Sequence, residues 1–212
     1  MKNSALRNQW TVWEPRLPWV FLGLGALLRL ILWPAQTIPS VDGTAYLRIA
    51  EGFTQGTVVA TVHQYGYPAL IALAGSVTGD LILAARGLAL VSGLLLIPLT
   101  WFVARRAGCS VLASMIPTVG VTAMPLVLRY SLTTMTETPY LALVTGSLLL
   151  VLRKREFLGG VLGGLAYAIR PEALLITGIA ALARWRHPKR ALRVVAGLFL
   201  VTGLYIGTLG VV

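Results

Sequence analysis

With 212 residues, 57% of them hydrophobic and only 12% charged, and a mean hydropathy of +0.79, the chain carries more apolar surface than one soluble core can hide. The composition predicts an all-α polytopic membrane protein, and the net charge of +11 sits beside apolar runs with no interleaved aromatic surface, which excludes nucleic acid as a partner. The single Cys109 excludes an internal disulfide, and no ligand spacing indicates a metal or other cofactor.

Apolar runs at 17–33, 81–104, 111–128, 138–152, 157–169, 173–183 and 194–212 predict about seven transmembrane helices. The first follows Lys2, Arg7 and Arg16, but Arg29 interrupts it and WPAQTIPS offers no small-x-small cleavage site, so a retained span is expected. One transmembrane module results: the first span (17–33), an external loop with interfacial helices (34–80) and a helical bundle (81–212). In the loop, Asp42 is expected to cap a helix running to about Phe53, with Tyr46, Leu47, Ala50 and Phe53 on one face in the outer interface. A polar break at His63 and Gln64 precedes YGYPALIALAGSVTG, an apolar segment too short to span, and Gly79 and Asp80 punctuate the next helix start.

Basic residues set the expected orientation. Lys2, Arg7, Arg16, Arg105, Arg106, Arg153, Lys154, Arg155, Arg184, Arg186, Lys189, Arg190 and Arg193 occupy alternate junctions with only Glu14 and Glu156 beside them, whereas charges at the other junctions balance. The basic side is cytoplasmic by the positive-inside rule, with the N-terminus inside and the C-terminus outside. Trp19, Trp101 and Trp185 fall at expected inner boundaries and Trp33 at an outer one. The run 157–183 is broken by Arg170, Pro171 and Glu172, and both of its flanks are basic. A short helical hairpin turning at 170–172 satisfies both facts, and its glycine pairs 159/163 and 160/164 permit close packing.

Three external positions are candidates for chemistry: Asp42, Glu137, and the Arg170/Glu172 tip. Each has a structural alternative. Asp42 reads equally as a helix cap, Glu137 as the third residue of a capping box from Thr134, and Arg170 with Glu172 as an ion pair closing the hairpin. Arg29, Arg86 and Arg129 are expected to snorkel from outer helix ends, and His63 to lie on the surface. Tyr65 and Tyr67 mark the interface or line a sugar pocket. No Ser-His-Asp set, phosphate-binding Walker loop or CxxC occurs.

The stretches SVDGTAYLRIAEGF, YGYPALIALAG, GDLILAARGLALVSGLLLIPLTWFVARR, MPLVLRYSLTTMTETPYLAL and GGVLGGLAYAIRPEALL, taken in order, resemble the N-terminal module of GT-C membrane glycosyltransferases. The resemblance covers about 17–183 and is greatest to bacterial lipopolysaccharide-core, aminoarabinose and protein O-mannosyl transferases. It implies a polyprenyl-phosphate-linked sugar donor, an unknown acceptor on the external side, Asp42 as the loop acid at the catalytic centre, and Glu137 as a second acid. Arg170 and Glu172 match an arginine-proline-acid turn common in the family, which implies substrate binding; Arg129, His63, Tyr65 and Tyr67 are further substrate-binding candidates from the residues themselves. Many members carry two adjacent acids where this chain has Asp42-Gly43. Full-length members continue into further helices and often a soluble acceptor-side domain beyond the point where this sequence stops; either the sequence is a piece of a longer chain, or a membrane partner supplies that half, or the function differs. The alternatives are a non-catalytic lipid- or partner-binding module and a small transporter.

Overall fold

The computed structural model describes residues 14–35 and 39–209, so Lys2, Arg7 and the last residues of the 194–212 run lie outside the described residues. Within them the chain is helical, and three helical segments are long and apolar enough to cross a membrane: α1 (Leu17–Leu32), which a 3-10 turn extends to Ala35 for 19 residues in all, α4 (Leu81–Arg106) and α10 (Pro188–Leu209). The other predicted spans are shorter: α7 (Glu137–Leu152), α8 (Glu156–Ile169) and α9 (Ala173–Leu182) have 16, 14 and 10 residues. The external connection forms α2 (Val41–Thr54) and α3 (Gly66–Thr78), much as the apolar spacing predicts.

The expected single segment at 111–128 is two helices, α5 (Val111–Ala123) and α6 (Pro125–Tyr130). Pro125 has no N–H to offer the Val121 carbonyl, and Met124 before it takes extended backbone (φ −62°, ψ 124°), as a residue preceding proline prefers. The break strands carbonyls in an apolar setting, and Arg29 of α1 reaches them. Its Nη2 donates to Val121 O at 3.2 Å, and its Nη1 donates to Thr122 O at 3.3 Å and to Gly25 O at 3.1 Å. Arg29 is 0% exposed, so it does not snorkel as expected; its charge faces the C-terminal carbonyls of α5, where the helix dipole is negative. Arg86 does lie partly exposed, donating to Trp33 O and standing over the Trp33 ring at 4.0 Å.

Caps fix the loop geometry. Asp42 does not cap α2: Ser40 does, its Oγ accepting from Gly43 N at 3.0 Å, which leaves Asp42 in the first turn. Gly79 ends α3 in the left-handed region (φ 72°), and the Asp80 carboxylate accepts from Ile82 N and Leu83 N to start α4. The turn from α7 to α8 is a Schellman closure in which Arg155 N donates to Leu150 O at 2.9 Å and Lys154 N to Val151 O at 3.1 Å. Lys154 takes φ 60° there, a conformation that glycine adopts at no steric cost.

Helix α8 is the spine. A Cβ on Gly160 would come within 2.0 Å of Val194 O on α10, one on Gly164 within 2.6 Å of Val201, and one on Gly163 within 2.4 Å of Thr177 on α9. The predicted glycine pairs are therefore contact surfaces, set so close that backbone meets backbone. Tyr46, Tyr67, Ile71, Ala85, Tyr140 and Ala166 form the buried core where α2, α3, α4, α7 and α8 meet. Outward, Leu27, Ile31, Leu95, Ile116, Leu175, Leu182 and Phe199 stay exposed, an apolar surface suited to lipid and not to water. Trp185 is exposed among them, whereas Trp101 is buried within the protein.

Side-chain contacts divide the bundle into two ends. Trp19–Phe102, Arg105–Glu14, Arg184–Val151 and Arg190–Glu156 join the basic junctions at one end, and Ser40–Met135, Tyr65–Tyr205 and Arg170–Glu137 gather the acidic loops at the other. Gly160→Ala should lower stability in detergent by about 1–3 kcal/mol, because α8 and α10 must part to admit a methyl. Gly23→Ala, whose Cβ meets nothing within 4 Å, should instead gain about 0.5–1 kcal/mol. Thermal unfolding of both variants checks the contrast.

Candidate functional site

The acidic end converges on Tyr46. The first turn of α2 lies against the loop before α7: a Cβ on Gly43 would stand 1.8 Å from Thr134 Oγ1 and 2.8 Å from Thr134 O. Residue 43 is thus glycine for want of space, and a second acid beside Asp42 has no room. Ser40 Oγ contacts Met135 Sδ at 2.9 Å across the same seam. These contacts set Asp42 beside the loop that ends in Glu137.

Glu137 opens α7, and no capping box forms, since the N-cap is Thr136 and Thr134 Oγ1 has no hydrogen-bond partner. Its carboxylate turns instead to the hairpin tip. Arg170 Nη1 donates to Glu137 Oε1 at 3.0 Å, while Arg170 Nε stands 3.8 Å from Glu172 Oε2. Tyr140, one turn along α7, lies under the guanidinium at 5.8 Å, a cation–π shelf that fixes its plane. The tip takes this position because Arg170, preceding Pro171, is extended (φ −147°, ψ 128°) and leaves the helix abruptly. The pair is partly buried, with side chains 34% and 20% exposed. Glu137 Oε2 is buried without a hydrogen-bond partner, an acceptor left open.

Asp42 differs from Glu137 in surroundings. It is exposed and has neither a hydrogen-bond nor an ion-pair partner among the described residues. Burial pushes the Tyr46 phenol above its ordinary value; a hydrogen bond with Thr136 opposes the shift, the Asp42 and Glu137 carboxylates add to it, and Arg170 opposes it. One ring therefore feels all three candidate charges, although Asp42 and Glu137 are 95 residues apart in the chain.

His63 meets the Tyr46 ring edge-on at 5.0 Å, at the lip of an open cleft of about 780 Å³ that runs along α2 and includes Thr44, Arg48 and Thr61. Tyr67 is fully buried against Tyr46, with its hydroxyl donating to Ala85 O at 3.2 Å. Tyr65 packs on Phe53, and its hydroxyl donates to Val59 O. The Arg129 side chain is exposed at the end of α6 without a partner among the described residues, and its carbonyl accepts from Thr133 Oγ1. Nothing in the sequence singles out Tyr46, Tyr140 and Thr134 as site residues; only their nearness to Asp42 and Glu137 in the chain points there.

Directly beneath lies an apolar cavity of about 770 Å³ between α1, α3, α4, α7 and α8. Tyr67, Pro139 and Ile169 line its upper end, each next to a site residue, and Trp19 and Phe102 its lower end. From Leu88 to Phe102 along α4 it extends about 21 Å at 1.5 Å per residue. None of Asp42, Glu137 and Arg170 lines this cavity, but chain neighbours of Glu137 and Arg170 do. A carboxylate, an oriented guanidinium and an open carboxylate oxygen near an oily cavity can activate a hydroxyl and hold an anion whose tail is apolar. Among the described residues no three His, Cys, Asp or Glu side chains converge as a metal set.

No protein-family model, curated protein or solved structure matches the chain.

In a double-mutant cycle on Glu137→Gln and Arg170→Gln, the two losses should fall short of additivity by about 1 kcal/mol, as befits a partly buried, hydrogen-bonded ion pair. Thermal unfolding of the four proteins measures the coupling, and strict additivity would show that the pair contributes nothing.

Proposed function

We propose that the chain is the catalytic module of a GT-C type glycosyltransferase that moves a sugar from a polyprenyl-phosphate donor to an acceptor hydroxyl at the external face. The observation that carries this reading is the Asp42 carboxylate, unpaired among the described residues, and the Glu137–Arg170 pair at the end of the bundle where Tyr67, Pro139 and Ile169 line the apolar cavity. A donor with a long isoprenoid tail needs hydrocarbon for the tail and water for the sugar. A polar end near an apolar cavity offers both.

In this mechanism Asp42 takes the proton from the acceptor hydroxyl as its oxygen attacks the anomeric carbon. The bond from that carbon to the phosphate oxygen breaks, its electron pair leaves on the phosphate, and the anomeric configuration inverts. Charge grows on the departing phosphate, and Arg170, with its plane set by Tyr140 and Glu137, meets it with the donors these partners leave open. Arg129, its side chain exposed and unpaired among the described residues, is the second cation. Glu137 Oε2 accepts from a sugar hydroxyl. The basic end faces the cytoplasm and the site faces outward, in keeping with the charge asymmetry of the two ends.

A second reading, a lipid-binding module without turnover, is favoured by the apolar cavity alone, which needs no acid near it. Two measurements separate the readings. Polyprenyl phosphate at a hundredfold excess over Kd should stabilise the protein in detergent by about 2.7 kcal/mol, and Arg170→Ala should lose most of that gain. With sugar-loaded donor, Asp42→Asn should lower transfer by about 10²–10⁴-fold while leaving thermal stability within about 0.5 kcal/mol, since Asp42 is exposed. Unchanged turnover would remove Asp42 as the base, and donor binding without any turnover in the wild type would favour the second reading.

A further inference from the structure

At the end of the bundle opposite the candidate site, a cleft of about 310 Å³ is lined by Arg106, Leu150, Arg153 and Arg155, with no carboxylate in its wall. Arginines at this end fall into two groups. Arg105 donates to Glu14 Oε1 at 2.8 Å and to the Cys109 carbonyl, Arg184 donates to Val151 O at 2.9 Å, and Arg190 stands 3.8 Å from the buried Glu156 carboxylate. The side chains of Arg106, Arg153 and Arg155 have no hydrogen-bond or ion-pair partner among the described residues, and the Arg153 guanidinium touches only the face of Phe102, at 5.7 Å.

Helix dipoles account for part of this cluster and fail for the rest. Arg106 closes α4 and Arg153 follows α7, positions where a cation complements C-terminal carbonyls. Arg155 is the N-cap of α8, where the dipole disfavours a cation and the free amides favour an anion. A membrane-topology signal does not account for it either, because that signal requires positive charge anywhere along the junction and not three guanidiniums from three helix ends turned into one cleft. Like charges gathered this way repel, and an anion between them relieves the repulsion.

We propose that this cleft binds a phosphate ester, with Arg106, Arg153 and Arg155 as its ligands. Guanidinium forks match phosphate oxygens two by two, and three of them suit the doubly charged monoester. The volume equals about ten waters at ~30 Å³ each, room for a phosphate and its ester oxygen. The apolar side of the cleft is Leu150, and Phe102 beneath Arg153 also lines the lower end of the long cavity. The site is independent of the outer one and stands whether or not sugar transfer does.

The test uses the full chain in nanodiscs of phosphatidylcholine with increasing phosphatidic acid, and separately in phosphatidylcholine with inorganic phosphate added to the buffer, reading the unfolding temperature. Stabilisation by phosphatidic acid alone identifies a lipid headgroup as the source; stabilisation by both identifies phosphate itself as sufficient. Arg153→Gln/Arg155→Gln should weaken the response at least about tenfold in midpoint concentration, since each loses charge-assisted hydrogen bonds. The exposed pair Arg186→Gln/Lys189→Gln, which removes equal charge from the same end, should leave it within about twofold. No response to either anion, or equal weakening by the two double variants, would overturn the cleft as a site. Both variants alter exposed side chains, so loss of folding without ligand would show as a lowered baseline and is separable.

Discussion

A helix broken inside hydrocarbon leaves carbonyls with no water to turn to, and this chain breaks its helices twice within apolar runs. The break at Met124–Pro125 is sealed by a buried cation from another helix, since Arg29 spreads its donors over Val121 O, Thr122 O and Gly25 O. Gly93 lets Ser131 and the same guanidinium approach, because a Cβ there would stand 2.2 Å from Ser131 Oγ and 3.4 Å from Arg29 Nε. Beyond the seal the chain runs into the short α6 and then the loop that ends in Glu137. The break at Pro171 is handled differently, by tucking the tip under the external loop: Gly66 sits so near the Ala168 carbonyl that a Cβ would come within 2.4 Å. Both acids and the arginine of the candidate site are therefore placed by the way broken backbone is accommodated.

The two ends of the molecule solve opposite electrostatic problems. At the outer end three carboxylates share one guanidinium, and geometry decides which is left over: Glu137 is held at 3.0 Å, Glu172 stands back at 3.8 Å, and Asp42 has no ion-pair partner among the described residues. At the basic end the surplus is of cations, with Glu14 and Glu156 each occupied by an arginine other than those in the cleft. One apolar cavity runs between these regions, closed above by Tyr67 and Ile169 and below by Trp19 and Phe102. Opposite unmatched charge beyond its two ends gives the bundle a polarity along its length.

Much of this plan is legible in the chain. The basic junctions cluster at one end, the Arg-Pro-Glu turn ends α8 within a residue of its expected position, and the glycine spacing marks the α8–α10 contact. Asp42, Glu137 and Arg170 belong to one end by the charge pattern, and the Tyr46 ring senses all three. Local rules mislead where two candidates stand side by side: Ser40 and Asp42 are both good caps, and only the approach of Thr134 to Gly43 settles the register in favour of Ser40. The run 111–128 reads as continuous because hydropathy ignores a missing N–H, although Met124-Pro125 is the signal that a helix does not pass. Snorkelling is the natural expectation for Arg29 because its distance from the helix end is visible in sequence, whereas the orphan carbonyls that hold it belong to a helix 92 residues away. The partner of an ionisable side chain across such a separation is a tertiary fact.

The hydroxyl of Tyr205 on α10 accepts from Tyr65 N at 2.9 Å and donates to Gln64 Oε1 at 2.7 Å, fastening the polar break beside His63 to a residue 140 positions later. During synthesis that gap takes on the order of 10 s to translate at ~5–20 residues per second. For that interval the loop between α2 and α3 exists while its anchor has yet to be made. Gln64 and the Tyr65 amide must meanwhile be served by water or by the insertion machinery. The entrance to the candidate site is thus among the last parts of the molecule to take shape, and a nascent chain stalled before α10 would display the outer charges without the loop geometry that frames them.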